Sequence, residues 1–267
     1  MTLTPHTIRA APVATFLALL IALQLSACQD SCYNWNSLDF FRPATPTSVA
    51  RCLDAGSDPN ARDEDGLTPL HFAAAFNETP GVVQFLLDAG ADLNARGEYG
   101  LTPLHFAAAF NETLTNHIAV QFLLNAGADP NVRNADGWTP LHSAAAFNGE
   151  PVVVVVLLNG GADPNARNEI GWTPLLYAAA YSDEPAVVQV LLNGGADLNA
   201  RNEVGWTPLH AAAAFSEAPA VVQALLNAGA DPSARDDKGR VPFEYIPENS
   251  PLRSTVIYRR LNVGRFK

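Results

Sequence analysis

Apolar and polar positions along this chain follow a beat that starts near residue 66 and recurs to about residue 235. An alanine-rich run (Leu70–Phe76) gives way to a polar break, then to a valine- and leucine-rich run (Val82–Leu87), then to a polar stretch that carries glycines. Thr68 before Pro69 is an N-cap followed by the favoured first helical residue, which predicts a helix to Phe76 whose small side chains let neighbours approach closely. Pro80 predicts the start of a second helix through Leu87, with Gly90 as its left-handed C-cap. Asp92–Gly100 combines Asp, Asn and Gly, the chemistry of tight turns. Helices of only about two to three turns do not persist alone in water. Their leucine and valine faces must therefore be buried against neighbouring copies.

The copies are explicit. Gly66-Leu67-Thr68-Pro69-Leu70-His71 returns with small changes at Gly100–His105, Gly137–His142, Gly171–Leu176 and Gly205–His210, at spacings of 34, 37, 34 and 34 residues. A degenerate version stands at Gly239-Arg240-Val241-Pro242-Phe243. In phase with it, LLDAGADLNAR (86–96) recurs at 123–133, 157–167, 191–201 and 225–235, with a partial form, CLDAGSDPNAR, at 52–62. This helix–helix–hairpin unit resembles the ankyrin repeat, most specifically in T-P-L-H-x-A-A and G-A-D-x-N-A. The resemblance covers about residues 34–262 and implies an all-α solenoid of helix-turn-helix units joined by β-hairpins or loops. Five full repeats are expected (66–99, 100–136, 137–170, 171–204, 205–238), between an N-cap at 34–65 and a C-cap at 239–262 whose last helix runs about Leu252–Asn262. Usual ankyrin units have about 33 residues; the extra residue here lies between the helices, at Ala-Phe-Asn-Glu-Thr-Pro.

Composition narrows the class. The 267 residues are 48% hydrophobic and 16% charged, which excludes a disordered chain or a coiled coil. The formal charge of −11 argues against nucleic-acid binding, which needs clustered Lys and Arg. That charge is unevenly placed: residues 28–237 hold 8 Arg and no Lys against 25 Asp and Glu, net −17, whereas 238–267 hold 7 Lys and Arg against 2 Glu, net +5. The basic end, with Arg253, Arg259, Arg260 and the tail 263–267 (Arg265, Lys267), suits anionic lipid or an acidic partner, or is a solvated cap face.

Met1–Ala27 carries no acidic residue and has a nearly apolar core from Ala10 to Leu25, the length of a signal-peptide core and short for a bilayer span. It ends in Leu25-Ser26-Ala27-Cys28, which resembles the lipobox of bacterial lipoproteins. That resemblance implies a signal peptide over 1–27, lipidation of Cys28, a short linker over 28–33 and a Gram-negative envelope, with Gln29 favouring the outer membrane. Plain secretion after cleavage near Ala27, or an uncleaved anchor, are the alternatives. An exported chain meets an oxidising compartment, so Cys32 and Cys52 are expected to bridge, as opposed to remaining two buried thiols.

Residues that suggest chemistry recur once per repeat. His71, His105, His142 and His210 would stand about 8–10 Å apart in a stack. Zinc ligands must converge at about 2 Å, so the ladder is read as hydrogen bonding between repeats. Arg62, Arg96, Arg133, Arg167, Arg201 and Arg235, with the matching Asp and Asn series, are read as loop-fixing pairs. No phosphate loop, HExxH, nucleophile elbow or calcium loop occurs. Catalysis, a metal, a cofactor and a small-molecule substrate are not expected.

Ankyrin proteins usually meet ligands at hairpin tips and concave helix faces. By that resemblance the tips carry Glu64, Glu98, Tyr99, Asp136, Trp138, Glu169, Trp172, Glu203 and Trp206. Three tryptophans in register with carboxylates suit a basic or amphipathic protein segment; the alternative is that each indole packs on the next hairpin. Phe76, Phe110, Phe147, Tyr181 and Phe215 are assigned mainly to packing of the longer turn. Departures from repetition are the insertion within Thr113–Ile118, the run Val152–Val156, and Leu176-Tyr177 in place of His and its neighbour. The expected role is a membrane-anchored, non-catalytic protein-binding scaffold; the alternative is a secreted effector or an immunity-type inhibitor of one enzyme or toxin.

Overall fold

The computed structural model describes residues 32–79, 81–110 and 116–263. The signal segment, Cys28, Pro80, residues 113–115 of the 113–118 segment and the end of the basic tail lie outside the described residues.

Thirteen α-helices occur among the described residues. After α1 (Leu38–Phe41) and α2 (Pro46–Asp54) come five pairs: α3 (Pro69–Phe76) with α4 (Gly81–Asp88), α5 (Pro103–Ala109) with α6 (Asn116–Asn125), α7 (Pro140–Phe147) with α8 (Pro151–Asn159), α9 (Pro174–Tyr181) with α10 (Pro185–Asn193), and α11 (Pro208–Phe215) with α12 (Pro219–Asn227). Last comes α13 (Val256–Val263). First helices pack on first helices and second on second, which makes a two-layered stack. The expected C-terminal helix at Leu252–Asn262 is corrected to a 3₁₀ turn, Pro251–Ser254, followed by α13. Ser250 caps the turn and Thr255 leaves it in extended backbone, so the helix starts afresh at Val256.

The core is one continuous ladder. Leu70, Leu104, Leu141, Leu175 and Leu209 are fully buried, as are Leu86, Leu123, Leu157, Leu191 and Leu225 of the second helices. Each such burial contributes about 1.5–3 kcal/mol. Alanines such as Ala107, Ala144, Ala178 and Ala212 fill the first-helix layer and allow its close spacing.

Between helix pairs the chain forms protruding fingers. Among the described residues these hold no β-strand. Each finger is closed by one backbone bond, such as Asn134 N–H to the Trp138 carbonyl (2.9 Å), and joined to its neighbour by another, such as Glu169 N–H to the Asp136 carbonyl (3.1 Å). The side chain of the closing Asx residue does the rest. Oδ1 of Asn134 accepts from the N–H groups of Asp136 (3.0 Å) and Trp138 (2.8 Å), and Asp63, Asn168, Asn202 and Asp236 repeat the arrangement.

The extra inter-helix residue has a similar purpose. Oδ1 of Asn148 accepts from the Glu150 N–H (2.8 Å), which turns the chain into α8, while its Nδ2 donates to the Phe110 carbonyl of the preceding pair (3.1 Å). Asn77 does the same toward Phe41 and Ala44, and Ser182 and Ser216 supply hydroxyls at this turn. Asn77 begins an Asn-Glu-Thr glycosylation sequence but is buried, which leaves no room for a glycan.

The ends are sealed. Cys32 and Cys52 are disulfide-bonded with Cα atoms 5.6 Å apart. Trp35 packs on Phe40 and Phe41 and donates through Nε1 to the Asp58 carbonyl (2.8 Å). At the other end Phe243 packs on Tyr258, and Leu252 and Leu261 are fully buried.

Candidate functional site

The first helices and the fingers form one face of the stack, termed here the inner face, and its composition changes along the chain. The finger residue before the capping threonine is Leu67 and Leu101 in the first two pairs, then Trp138, Trp172 and Trp206. Each indole packs against neighbouring rings. Trp138 packs on Phe147 of its own pair (5.7 Å between ring centroids) and on Tyr177 of the next (4.3 Å). Trp172 contacts Tyr177, Tyr181 and Phe215, and Trp206 contacts Phe215 and Tyr245.

Of the two readings of the tryptophans, an open stripe or packing on neighbours, the observed burial fits packing. Trp172 is only 8% exposed and Trp138 and Trp206 are half-buried. The side chains that stand open are those assigned to turn packing: Phe147 is 64% exposed, Tyr181 53% and Phe215 46%. They sit at the ends of the first helices, where the tryptophans raise them from beneath, and Tyr181 stacks on Phe215 at 5.9 Å. The tryptophans form a bed, and the phenyl and phenol rings are its surface.

The acidic residues of the fingers are where the sequence places them. Glu64, Glu98, Asp136, Glu169 and Glu203 are all exposed, beside Tyr99, Ile170 and Val204. The arginines of the same fingers are engaged in stapling. Arg62 donates to the Gly66 and Arg96 carbonyls (both 2.7 Å), Arg96 to Gly100 (3.3 Å) and Arg133 (3.1 Å), and Arg201 to Arg235 (2.9 Å). Asn60, Asn131 and Asn165 likewise bridge one repeat to the next through the carbonyls of Gly90, Gly161 and Gly195.

The histidines are structural. In each case Nδ1 accepts from the N-cap threonine and Nε2 donates to a carbonyl of the next repeat: His71 to Leu101 (3.2 Å), His105 to Trp138 (3.1 Å), His142 to Trp172 (3.0 Å) and His210 to Arg240 (3.1 Å). Burial lowers the pKa of His71, His105 and His142 to about 4, against the opposing effect of those carbonyls. Where Leu176 replaces histidine, its neighbour Tyr177 accepts from Asn168 Nδ2 (3.0 Å) and closes over His142 and Trp138; burial pushes its phenol up to about 12. Among the described residues no group of three or more His, Cys, Asp or Glu side chains is placed to hold a metal ion. No described helix is long and apolar enough to cross a membrane.

The row of exposed rings was missed because its signal is indirect. Phe147, Tyr181 and Phe215 recur with the inter-helix turn, and the tryptophan nine residues before each is what packs against it. A family model described as ankyrin repeats (3 copies) matches residues 44–134, 114–202 and 144–236. No curated protein matches the chain.

Proposed function

Because the chain belongs to the ankyrin-repeat family, whose repeats are typically protein–protein interaction scaffolds and generally not catalytic, we propose that it binds another protein through its inner face and the finger tips beside it. The observation that carries this reading is the register of Phe147, Tyr181 and Phe215, three large rings held open on a bed of tryptophans. Each ring packs on a tryptophan yet leaves about half or more of its surface in water, and aromatic anchors of this kind dominate protein interfaces. The fringe of Glu98, Asp136, Glu169 and Glu203 favours a partner segment that is basic or amphipathic. The partner surface is thus Phe147, Tyr181 and Phe215 with those carboxylates, the tryptophans packing against the rings.

The chain is proposed to work as an exported lipoprotein of a Gram-negative envelope, held by acyl chains on Cys28. Leu25-Ser26-Ala27-Cys28 after an apolar core supports this, as does a Cys32–Cys52 bridge suited to an oxidising compartment. Several acyl chains contribute about 0.8 kcal/mol per buried methylene, enough for firm anchoring. Palmitate labelling is expected in the wild type and not in Cys28→Ser; labelling that survives the substitution refutes the anchor.

The binding reading is tested by crosslinking the full chain in intact cells and identifying what it holds by mass spectrometry. Tyr181→Ala/Phe215→Ala is expected to lose the partner while keeping the wild-type melting profile. A partner retained by that variant, with folding intact, would remove the inner face from the proposal.

A further inference from the structure

An apolar hollow of about 570 Å³ opens on the inner face between the second and third helix pairs, among Leu101, Phe106, Phe110, Trp138, Ser143 and Phe147. Its origin is traced to two equivalent positions of each repeat junction: the finger residue before the capping threonine, and the fourth residue of the next first helix. The pairs are Leu67 with Phe106, Leu101 with Ser143, Trp138 with Tyr177, Trp172 with Ala211, and Trp206 with Tyr245. In four of the five at least one member is aromatic. Trp138 meets Tyr177 at 4.3 Å, Trp206 meets Tyr245 at 4.5 Å, and Trp172, opposite the small Ala211 position, meets Phe215 at 6.4 Å. Only Leu101 and Ser143 leave both positions without a ring, and both line the hollow.

The finger above this hollow is also irregular. Gly97 stands where the other fingers have the closing Asx side chain, and the tip relaxes into a different turn that puts Tyr99 at φ 57°, the one non-glycine residue with positive φ among those described. Tyr99 is 62% exposed, with Glu98 beside it and Asp136 on the next tip, all open to solvent. No Lys or Arg lines the hollow, and Arg96 and Arg133 are committed to backbone carbonyls. Strained backbone, a vacant ring position and exposed carboxylates thus coincide at one junction.

We propose that this hollow is the anchor site for one bulky apolar side chain, aromatic or branched aliphatic, carried by a basic segment of the partner protein. The side chain fills the place of the missing ring, against Trp138 and Phe147, while flanking Lys or Arg residues meet Glu98 and Asp136. The site rests on the protein-binding reading above and makes it specific: the junction between pairs two and three selects the anchor residue, and Tyr181 and Phe215 extend the contact.

The test uses the full chain and fluorescein-labelled synthetic peptides: Lys-Arg-Ser-Trp-Ser-Arg-Lys, the same peptide with Ala for Trp, and the Trp peptide with Glu flanks. Binding is followed by anisotropy. The basic Trp peptide is expected to bind at least about ten-fold tighter than the Ala peptide, the effect of burying one large side chain, and the Glu-flanked peptide to bind more weakly than either. Ser143→Phe and Leu101→Trp each fill the hollow with a ring that other repeats carry at the same position; both are expected to abolish the Trp-over-Ala preference while keeping the wild-type circular dichroism and melting. Two independent filling variants guard against one of them misfolding, and Val155→Gln, on a second helix, is the control that keeps the preference. Failure of the basic Trp peptide to bind at about 1 mM, or a preference that persists in both filled variants, overturns the anchor site. If the preference persists there but is lost in Tyr181→Ala/Phe215→Ala, the anchor falls and the inner-face reading stands; if none of these variants alters binding, both fall.

Discussion

His142 Nε2 donates to the carbonyl oxygen of Trp172, 3.0 Å away in the next repeat, while its Nδ1 accepts from the Thr139 N–H at 3.1 Å. The imidazole is therefore fixed as the neutral Nε2–H tautomer, with both nitrogens satisfied inside the stack. One ring caps its own helix and ties it to the following finger. A second proton would have to displace a buried donor, which is why the ring resists ionisation.

This makes the stack acid-sensitive in a definite window. His71, His105 and His142 titrate near 4 when folded, against 6.5 for an unperturbed ring, and His210 is lowered as well. The unfolded chain thus binds more protons between these values. Their contribution is fully present above pH 6.5 and is lost as pH falls from 6.5 toward 4, at up to about 3 kcal/mol per histidine. Urea midpoints measured from pH 7.5 to 4 are expected to fall steeply across that interval. A flat profile there contradicts the buried neutral rings.

His142→Leu separates the titration from the packing. The fourth pair already carries Leu176 at this position, where Thr173 Oγ1 instead accepts from the Leu176 N–H at 3.4 Å. At pH 7 the substitution leaves the Trp172 carbonyl without its donor and is expected to cost about 1–3 kcal/mol. Near pH 5 it also removes about one proton from the uptake on unfolding. Wild-type and variant stabilities should therefore converge as pH falls; parallel curves would assign the acid sensitivity elsewhere.

The repeat could be read in the sequence because each part obeys a local rule. Thr139-Pro140 caps and starts a helix, Gly161 at φ 92° ends one, and His142 cannot converge with its counterparts on a metal. The surface could not be read that way. Whether Trp138 faces solvent depends on how Phe147 and, one repeat later, Tyr177 pack on it, and the period carries no record of that. The hollow is harder still, because it is the joint smallness of Leu101 and Ser143, each unremarkable alone. The expected C-terminal helix was displaced for a local reason, the Ser250 cap and the extended Thr255, which splits it into a 3₁₀ turn and α13.

The disulfide should matter locally. Cys32 and Cys52 are 20 residues apart, and closing such a loop stabilises by about 3 kcal/mol in the chain-entropy model. Contacts in a stack run only between neighbours, so its loss frays the end before the middle. Hydrogen exchange on Cys32→Ser/Cys52→Ser is expected to show lost protection in α1 and α2, with α7 to α10 unchanged. Uniform loss along the chain would mean that the stack unfolds as one unit.

The second finger carries a strain that can be relieved. Gly97 has no side chain to accept from the tip, and a Cβ there would come within 2.5 Å of Leu67 Cδ2, so the usual Asx residue does not fit without moving Leu67. The tip instead closes through Tyr99 at φ 57°, a conformation that costs a non-glycine residue about 1–2 kcal/mol. Asn tolerates that region better, so Tyr99→Asn is expected to raise stability by about 0.5–1 kcal/mol, read from the denaturation midpoint. Tyr99→Val, β-branched and less suited to positive φ, should lower it. If the two substitutions move the midpoint equally, the strain does not reside at this residue, and the altered turn follows from Gly97 alone.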